Sequence, residues 1–178
     1  MAGPALWAES RLLAVTADGG ISTARVHDAA GTLIATGTLW GNFVDLPAPA
    51  PDCGALPEFP EPGVAPLDWI GGRVEDAGTR VVVPANPLIA NKLGFVHGGV
   101  QACATDLAAS AALSGQGADM DTASVRINYF RPVPLGCDTT FTADVVRAGR
   151  AVATTRVAGT SGGRVCVEAT VTGRRRLP

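Results

Sequence analysis

The sequence of 178 residues has a single lysine, Lys92, a single tyrosine, Tyr129, and a charged fraction of only 17%. With 14 basic against 16 acidic residues, the net charge is −2. No basic surplus exists to hold nucleic acid or an anionic membrane surface. The four cysteines, Cys53, Cys103, Cys137 and Cys166, form no CxxC pair, and the chain has only two histidines. That spacing argues against both a zinc site and a disulfide framework. Long apolar runs are also missing. Glu9 and Arg11 interrupt the N-terminus before a signal-peptide core could form. The longest apolar run contains Asp106, which excludes a membrane span there. A reduced, cytoplasmic setting is the expectation. What the chain does have is 47% hydrophobic residues, enough for one ordinary domain with a real core plus an appendage.

Composition divides the chain into three parts. Residues 1–45 alternate as strands do, in LLAVTA, ISTARVHD and TLIATGTLW, with turns at Asp18-Gly19-Gly20 and Asp28-Ala29-Ala30-Gly31. Residues 46–66 are proline-rich and lack periodicity, which reads as an extended linker. Residues 67–178 form the main domain. Its pattern predicts strands over Ile70–Glu75 and Thr79–Val83, then a helix over Gly98–Leu113. Four more strands follow, over Thr122–Phe130, Thr139–Arg147, Ala151–Gly159 and Arg164–Thr172. One long helix followed by an antiparallel meander implies an α+β fold in which the sheet covers the helix.

The two ends of the chain resemble each other. Thr23-Ala24-Arg25-Val26 aligns with Thr154-Thr155-Arg156-Val157, and Gly37-Thr38 with Ala169-Thr170 after a one-residue gap. Two unrelated hairpins share alternation and glycine turns. The reading adopted is that residues 1–45 are a partial repeat, the closing half of a first domain whose helix the chain lacks.

The chemistry concentrates in Asn91–Asp106, NKLGFVHGGVQACATD. His97-Gly98-Gly99 opens an alanine-rich helix, whose first N–H groups are unpaired and whose positive dipole end suits a developing oxyanion. Glycine lets a carbonyl approach that backbone closely. Asp106 lies inside the helix among Cys103, Ala104, Leu107 and Ala108, where a carboxylate is costly unless paired, exposed or used. The combination points to attack on a thioester or similar acyl group.

The run N-x-x-G-x-x-H-G-G (here NKLGFVHGG), Asp106, the strand TASVRINYFRP and Gly149-Arg150 together resemble the PaaI-like hotdog-fold thioesterases of the phenylacetate pathway. The resemblance implies a long helix wrapped by an antiparallel sheet, obligate pairing of two such domains in a homodimer or larger assembly, and hydrolysis of acyl-CoA without a metal or cofactor. By the same resemblance, Asp106 is the general base or nucleophile and the Gly98 N–H is the oxyanion donor. Asn91 and His97 orient the carbonyl and water, and Ser124 helps to hold the water. Asp106 and Ser124 would come from one subunit, with Asn91, His97 and Gly98 from its partner. Phe95-Val96 depart from the smaller residue and leucine common in the family, which bears on pocket shape.

Plainer readings stand beside these roles. His97 could be only a helix cap, Asn91 a turn residue, Asp106 an exposed position and Ser124 an ordinary strand hydroxyl on the face of Arg126 and Asn128. Arg147 and Arg150 flank a hairpin turn and could grip a nucleotide phosphate or be merely solvated. A non-catalytic acyl binder or a dehydratase is the alternative function on such a fold. Phe95, Tyr129 and Phe130 hint at an aromatic or medium-chain acyl group.

Overall fold

A computed structural model of the chain describes residues 5–43 and 63–175. Residues 46–62 of the proline-rich linker lie outside them. The chain divides into two compact units, residues 1–49 and 50–178.

The first unit is an antiparallel three-stranded sheet, β1 (Leu6–Val15), β2 (Gly19–Asp28) and β3 (Leu33–Asn42), in the order β1-β2-β3. Trp7 and His27 stack across the first pair at a centroid distance of 4.2 Å. No described hydrophobic side chain of this unit belongs to the buried core.

The second unit starts with a short helix, α1 (Pro66–Trp69), followed by β4 (Arg73–Glu75) and β5 (Arg80–Val83). The sequence reading put a strand over Ile70–Glu75. Instead Ile70 caps α1 and is fully buried, and Gly71 turns the chain at φ 66°, so only the last three of those residues are extended. The apolar Ile70 is a plug into the core, which alternation cannot distinguish from a strand position.

The long helix α2 spans Gly98–Gly115, about 27 Å at 1.5 Å per residue. Then come β6 (Met120–Tyr129), β7 (Thr139–Ala148), β8 (Val152–Ser161) and β9 (Arg164–Arg175). The six strands form one sheet, with order β4-β5-β7-β8-β9-β6, and all its pairs are antiparallel. Ala104, Ala108, Ala109 and Ala112 of α2 are buried with Phe141, Val157, Val167 and Val171 of the sheet. Alanine lets the helix lie close to the strands, and the β-branched floor fills the remaining space. A Cβ at Gly159 would come within 2.9 Å of the Phe141 ring, so glycine there is what admits the largest fully buried side chain. No described helix is long and apolar enough to cross a membrane.

The registers of the two meanders correspond. In the first unit Arg25 lies between Glu9 and Thr36, and Val26 between Ala8 and Ala35. In the second, Arg156 lies between Asp144 and Thr170, and Val157 between Ala143 and Ala169. Ala35-Thr36, not Gly37-Thr38, therefore stands where Ala169-Thr170 stands. Between matching positions the first hairpin is shorter than the second, running from Val26 to Ala35 against Val157 to Ala169, and this displaces the alignment read from sequence alone.

Candidate active site

The loop before α2 is organised by Asn91. Its Oδ1 accepts the N–H groups of Leu93 at 2.9 Å and Phe95 at 3.1 Å, and its backbone N–H donates to Phe95 O at 2.7 Å. Two backbone donors on one side-chain atom identify that atom as oxygen, so the Nδ2 donors point elsewhere and have no partner among the described residues. Asn91 is thus a turn residue, with an amide left over. Gln101, buried on α2, donates to Val96 O at 2.9 Å and ties the end of this loop to the helix.

His97 is the N-cap of α2. Its Nδ1 accepts the Gly99 N–H at 3.0 Å, so the neutral imidazole carries its proton on Nε2, which remains exposed as a donor. The Gly98 N–H has no acceptor among the described residues, while the Gly98 carbonyl accepts the Tyr129 hydroxyl at 2.9 Å. That bond anchors the first turn of α2 to β6. Burial pushes the Tyr129 phenol pKa up, keeping it in the donor form. A Cβ on Gly98 would meet the Tyr129 ring at 3.6–3.7 Å, ordinary contact. Packing within this chain does not demand a glycine there.

Asp106 is half-buried, eight residues along the helix from Gly98. The Thr122 hydroxyl donates to its Oδ1 at 2.5 Å. Oδ2 has no protein partner among the described residues. Cys103, one turn before it, has its thiol pKa pushed up by burial and, second, by the Asp106 carboxylate. The thiol therefore stays protonated at neutral pH and is a poor nucleophile.

Ser124 is placed differently from Thr122. The β6–β9 register runs Thr122–Gly173, then Ser124–Thr172, with Ala123 bulged out. Gly173 faces Leu113 of α2, since a Cβ there would lie 3.3 Å from the leucine methyl. Thr122 shares that inner face, and Ser124 shares the outer face with Thr172, Arg126 and Asn128. The hydroxyl on the carboxylate is that of Thr122, which the sequence reading missed. It also missed the anchoring role of Tyr129. Both lie in the quoted strand, and strict alternation would have put Thr122 and Ser124 on one face.

The two arginines part company as well. A bulge at Val146 sets Arg147 opposite Thr154, within the sheet. Arg150, in the turn, lines a cavity of about 500 Å³ with Ala151, Arg174 and Arg175. None of these three arginines has a carboxylate partner among the described residues.

One chain therefore holds two separate clusters. Asn91, His97 and Gly98 sit at the helix mouth, and Asp106 with Thr122 lies two turns further on. Eight residues of helix separate Gly98 from Asp106 by about 12 Å along the axis. No single thioester carbonyl reaches both within one chain.

Comparison with known proteins bears on this arrangement. The thioesterase superfamily model matches residues 93–168, the stretch from the loop into the first part of β9. No curated protein sequence matches the chain. Among solved structures, a mutant of the phenylacetic acid degradation protein PaaI from Thermus thermophilus is 27% identical, with a TM-score of 0.58, covering 62% of this chain and 97% of that one. A hypothetical thioesterase from Streptococcus pneumoniae, solved with coenzyme A, is 25% identical, with a TM-score of 0.54 over 59% of this chain and 88% of that one. A Bacillus halodurans protein, also solved with CoA, shares the fold at 23% identity and a TM-score of 0.56, over 61% and 73% of the two chains.

Proposed function

We propose that the second unit of the chain, which is similar to the thioesterase superfamily over residues 93–168 and to PaaI in fold, is a PaaI-like hotdog domain, and that the protein hydrolyses an acyl-CoA thioester to the free acid and CoA. The observation that carries the reading is Asp106: a half-buried carboxylate in an apolar helix, with one oxygen held by Thr122 and the other unbonded among the described residues. A carboxylate so held has its free oxygen available for a proton or a carbonyl carbon.

In the reaction, water adds to the thioester carbon as Asp106 takes its proton, or Asp106 attacks first and water then hydrolyses the acyl-enzyme. Either way the C–S bond breaks and the thiolate leaves as CoA after protonation. The negative charge on the carbonyl oxygen develops against the unpaired Gly98 N–H, with the Asn91 Nδ2 and His97 Nε2 donors alongside. Thr122 orients the carboxylate. Since the two clusters of one chain stand too far apart, each site combines Gly98, Asn91 and His97 of one copy with Asp106 of another, and the working unit is a homodimer at least. The CoA-bound state of the similar Streptococcus pneumoniae and Bacillus halodurans proteins supports CoA as the carrier.

Incubation with a panel of acyl-CoAs of graded length and aromaticity, in the presence of a thiol reagent, should release CoA from at least one. No release from any member would leave a binding module in place of an enzyme. The Arg150–Arg174–Arg175 cavity is the proposed seat of the CoA phosphates, and it carries a sharper test. Arg150→Gln combined with Arg174→Gln should raise KM for acyl-CoA about tenfold or more, consistent with the loss of two charge-assisted hydrogen bonds. KM for the corresponding acyl-pantetheine, which has no phosphate, should stay unchanged. An equal KM change for both substrates would remove the cluster from recognition.

A further inference from the structure

The mouth of α2 is built from residues that favour a helix little. Gly98 and Gly99 open it, no acidic side chain stands in its first turn, and the His97 cap is spent on the Gly99 N–H. Glycine is the poorest helix former after proline, because its φ and ψ are the least restricted. The turn that presents the Gly98 N–H therefore has little intrinsic reason to hold one orientation. Tyr129, 31 residues along the chain, supplies what the turn lacks, since its hydroxyl donates to Gly98 O at 2.9 Å.

We propose that Tyr129 is a positioning residue of the oxyanion site, holding Gly98 so that its N–H stays aimed at the carbonyl oxygen of a bound thioester. The inference rests on the oxyanion role proposed for Gly98 and adds the group that makes that donor rigid.

The N–H and the carbonyl of Gly98 lie in successive peptide planes joined at one Cα. Fixing the carbonyl restrains ψ at a residue with no Cβ to restrain it, and so limits where the N–H points. The brace itself is stiff. Tyr129 ends β6 opposite Val167, which is fully buried, and the next residue, Phe130, donates its N–H to Cys166 O at 2.8 Å. Tyr129 side-chain atoms also lie 3.6–3.7 Å from where a Cβ on Gly98 would stand, so the phenol flanks the helix mouth as well as bonding to it. Burial is the one cause that raises its pKa, and the hydroxyl remains a donor at neutral pH. A donor fixed in advance stabilises a developing oxyanion because it needs no reorganisation during the reaction. Phenylalanine would fill the same space, so the hydroxyl alone carries this role.

The test reads the carbonyl directly. Octanoyl-CoA and phenylacetyl-CoA, isotope-labelled at the carbonyl carbon, are bound to the Asp106→Asn chain, which is expected not to turn them over. Difference infrared spectroscopy should show the C=O band of at least one at lower frequency than in the free thioester. Adding Tyr129→Phe should remove about half of that shift or more, at an unchanged Kd. In the otherwise wild-type chain, Tyr129→Phe should lower kcat about fivefold to tenfold with KM and the urea midpoint unchanged. A second variant keeps the size of the side chain. Tyr129 is the only tyrosine, so growth on ring-difluorinated tyrosine labels this site alone. Fluorine acidifies the phenol, and kcat of the labelled protein should fall at an alkaline pH where the unlabelled protein is still at its plateau. The same growth should leave the Tyr129→Phe profile as it was. An undiminished band shift and kcat in Tyr129→Phe would overturn the inference, as would a rise in KM with kcat intact, which would make Tyr129 a packing residue. A band that shifts through Tyr129 in a wild-type chain that hydrolyses nothing would sink the hydrolase reading and uphold this one. Absence of acyl-CoA binding would overturn both.

Discussion

Asp106→Asn should leave the fold intact and lower turnover about a hundredfold or more, roughly 2.7 kcal/mol of transition-state stabilisation. The substitution is nearly isosteric, and its remaining carbonyl oxygen still accepts the Thr122 hydroxyl that the carboxylate accepts now. What disappears is the ability to take a proton or to attack carbon. A second readout separates chemistry from structure. The Asp106 charge is the lesser of two causes that raise the Cys103 thiol pKa, burial being the greater. In the variant, alkylation of Cys103 should shift to somewhat lower pH while the protein stays folded. Cys103→Ser should retain turnover close to wild type, since the thiol is not the nucleophile. Near wild-type turnover in Asp106→Asn would remove the carboxylate from the mechanism.

The fold was legible where it rests on periodicity. The alanine-rich run fixed α2, and alternation located every strand of the large meander to within a few residues. The N-terminal strands emerged the same way. Three features were not legible, and each has a physical cause. Ile70 is apolar because it plugs the core beyond a helical turn, and a single buried side chain has no period. The bulges at Ala123 and Val146 each insert one residue into a pairing, which reverses the face of everything beyond. Thr122 is consequently turned to the inner face, while Ser124 stays on the polar face with Arg126 and Asn128. At Ala123 the flanking Thr122 and Ser124 are both polar, so the hydrophobic pattern carries no signature of the bulge. The candidate site was legible in its residue types, because His-Gly-Gly before an apolar helix containing an acid is an unusual combination. Its hydrogen bonds were not. Asn91 and His97 each serve the loop or cap with one side-chain atom and keep a donor free with another, so the structural and functional readings of these residues are compatible.

The separation of the two clusters leads to the second large effect. Gly98→Val should abolish activity, because the side chain occupies the space a carbonyl needs beside the N–H. Loss of one such donor costs roughly 2.7–4 kcal/mol in other enzymes. The fold has room for the new Cβ beside Tyr129, so the variant should remain folded. Gly98→Val and Asp106→Asn are then two inactive proteins damaged in different clusters. If each site draws one cluster from each copy, mixed dimers contain one site with both lesions and one with neither. In a two-fold dimer, random exchange of equal amounts makes half the dimers mixed, which restores about a quarter of the wild-type sites. Activity in the equilibrated mixture should therefore rise from about one per cent to about a quarter of wild type. A site formed within one chain would give no recovery at all, because every chain in the mixture carries a lesion. The helix itself dictates which result to expect: a rise of about 1.5 Å per residue over eight residues exceeds the reach of one thioester carbonyl, so recovery is the expected outcome.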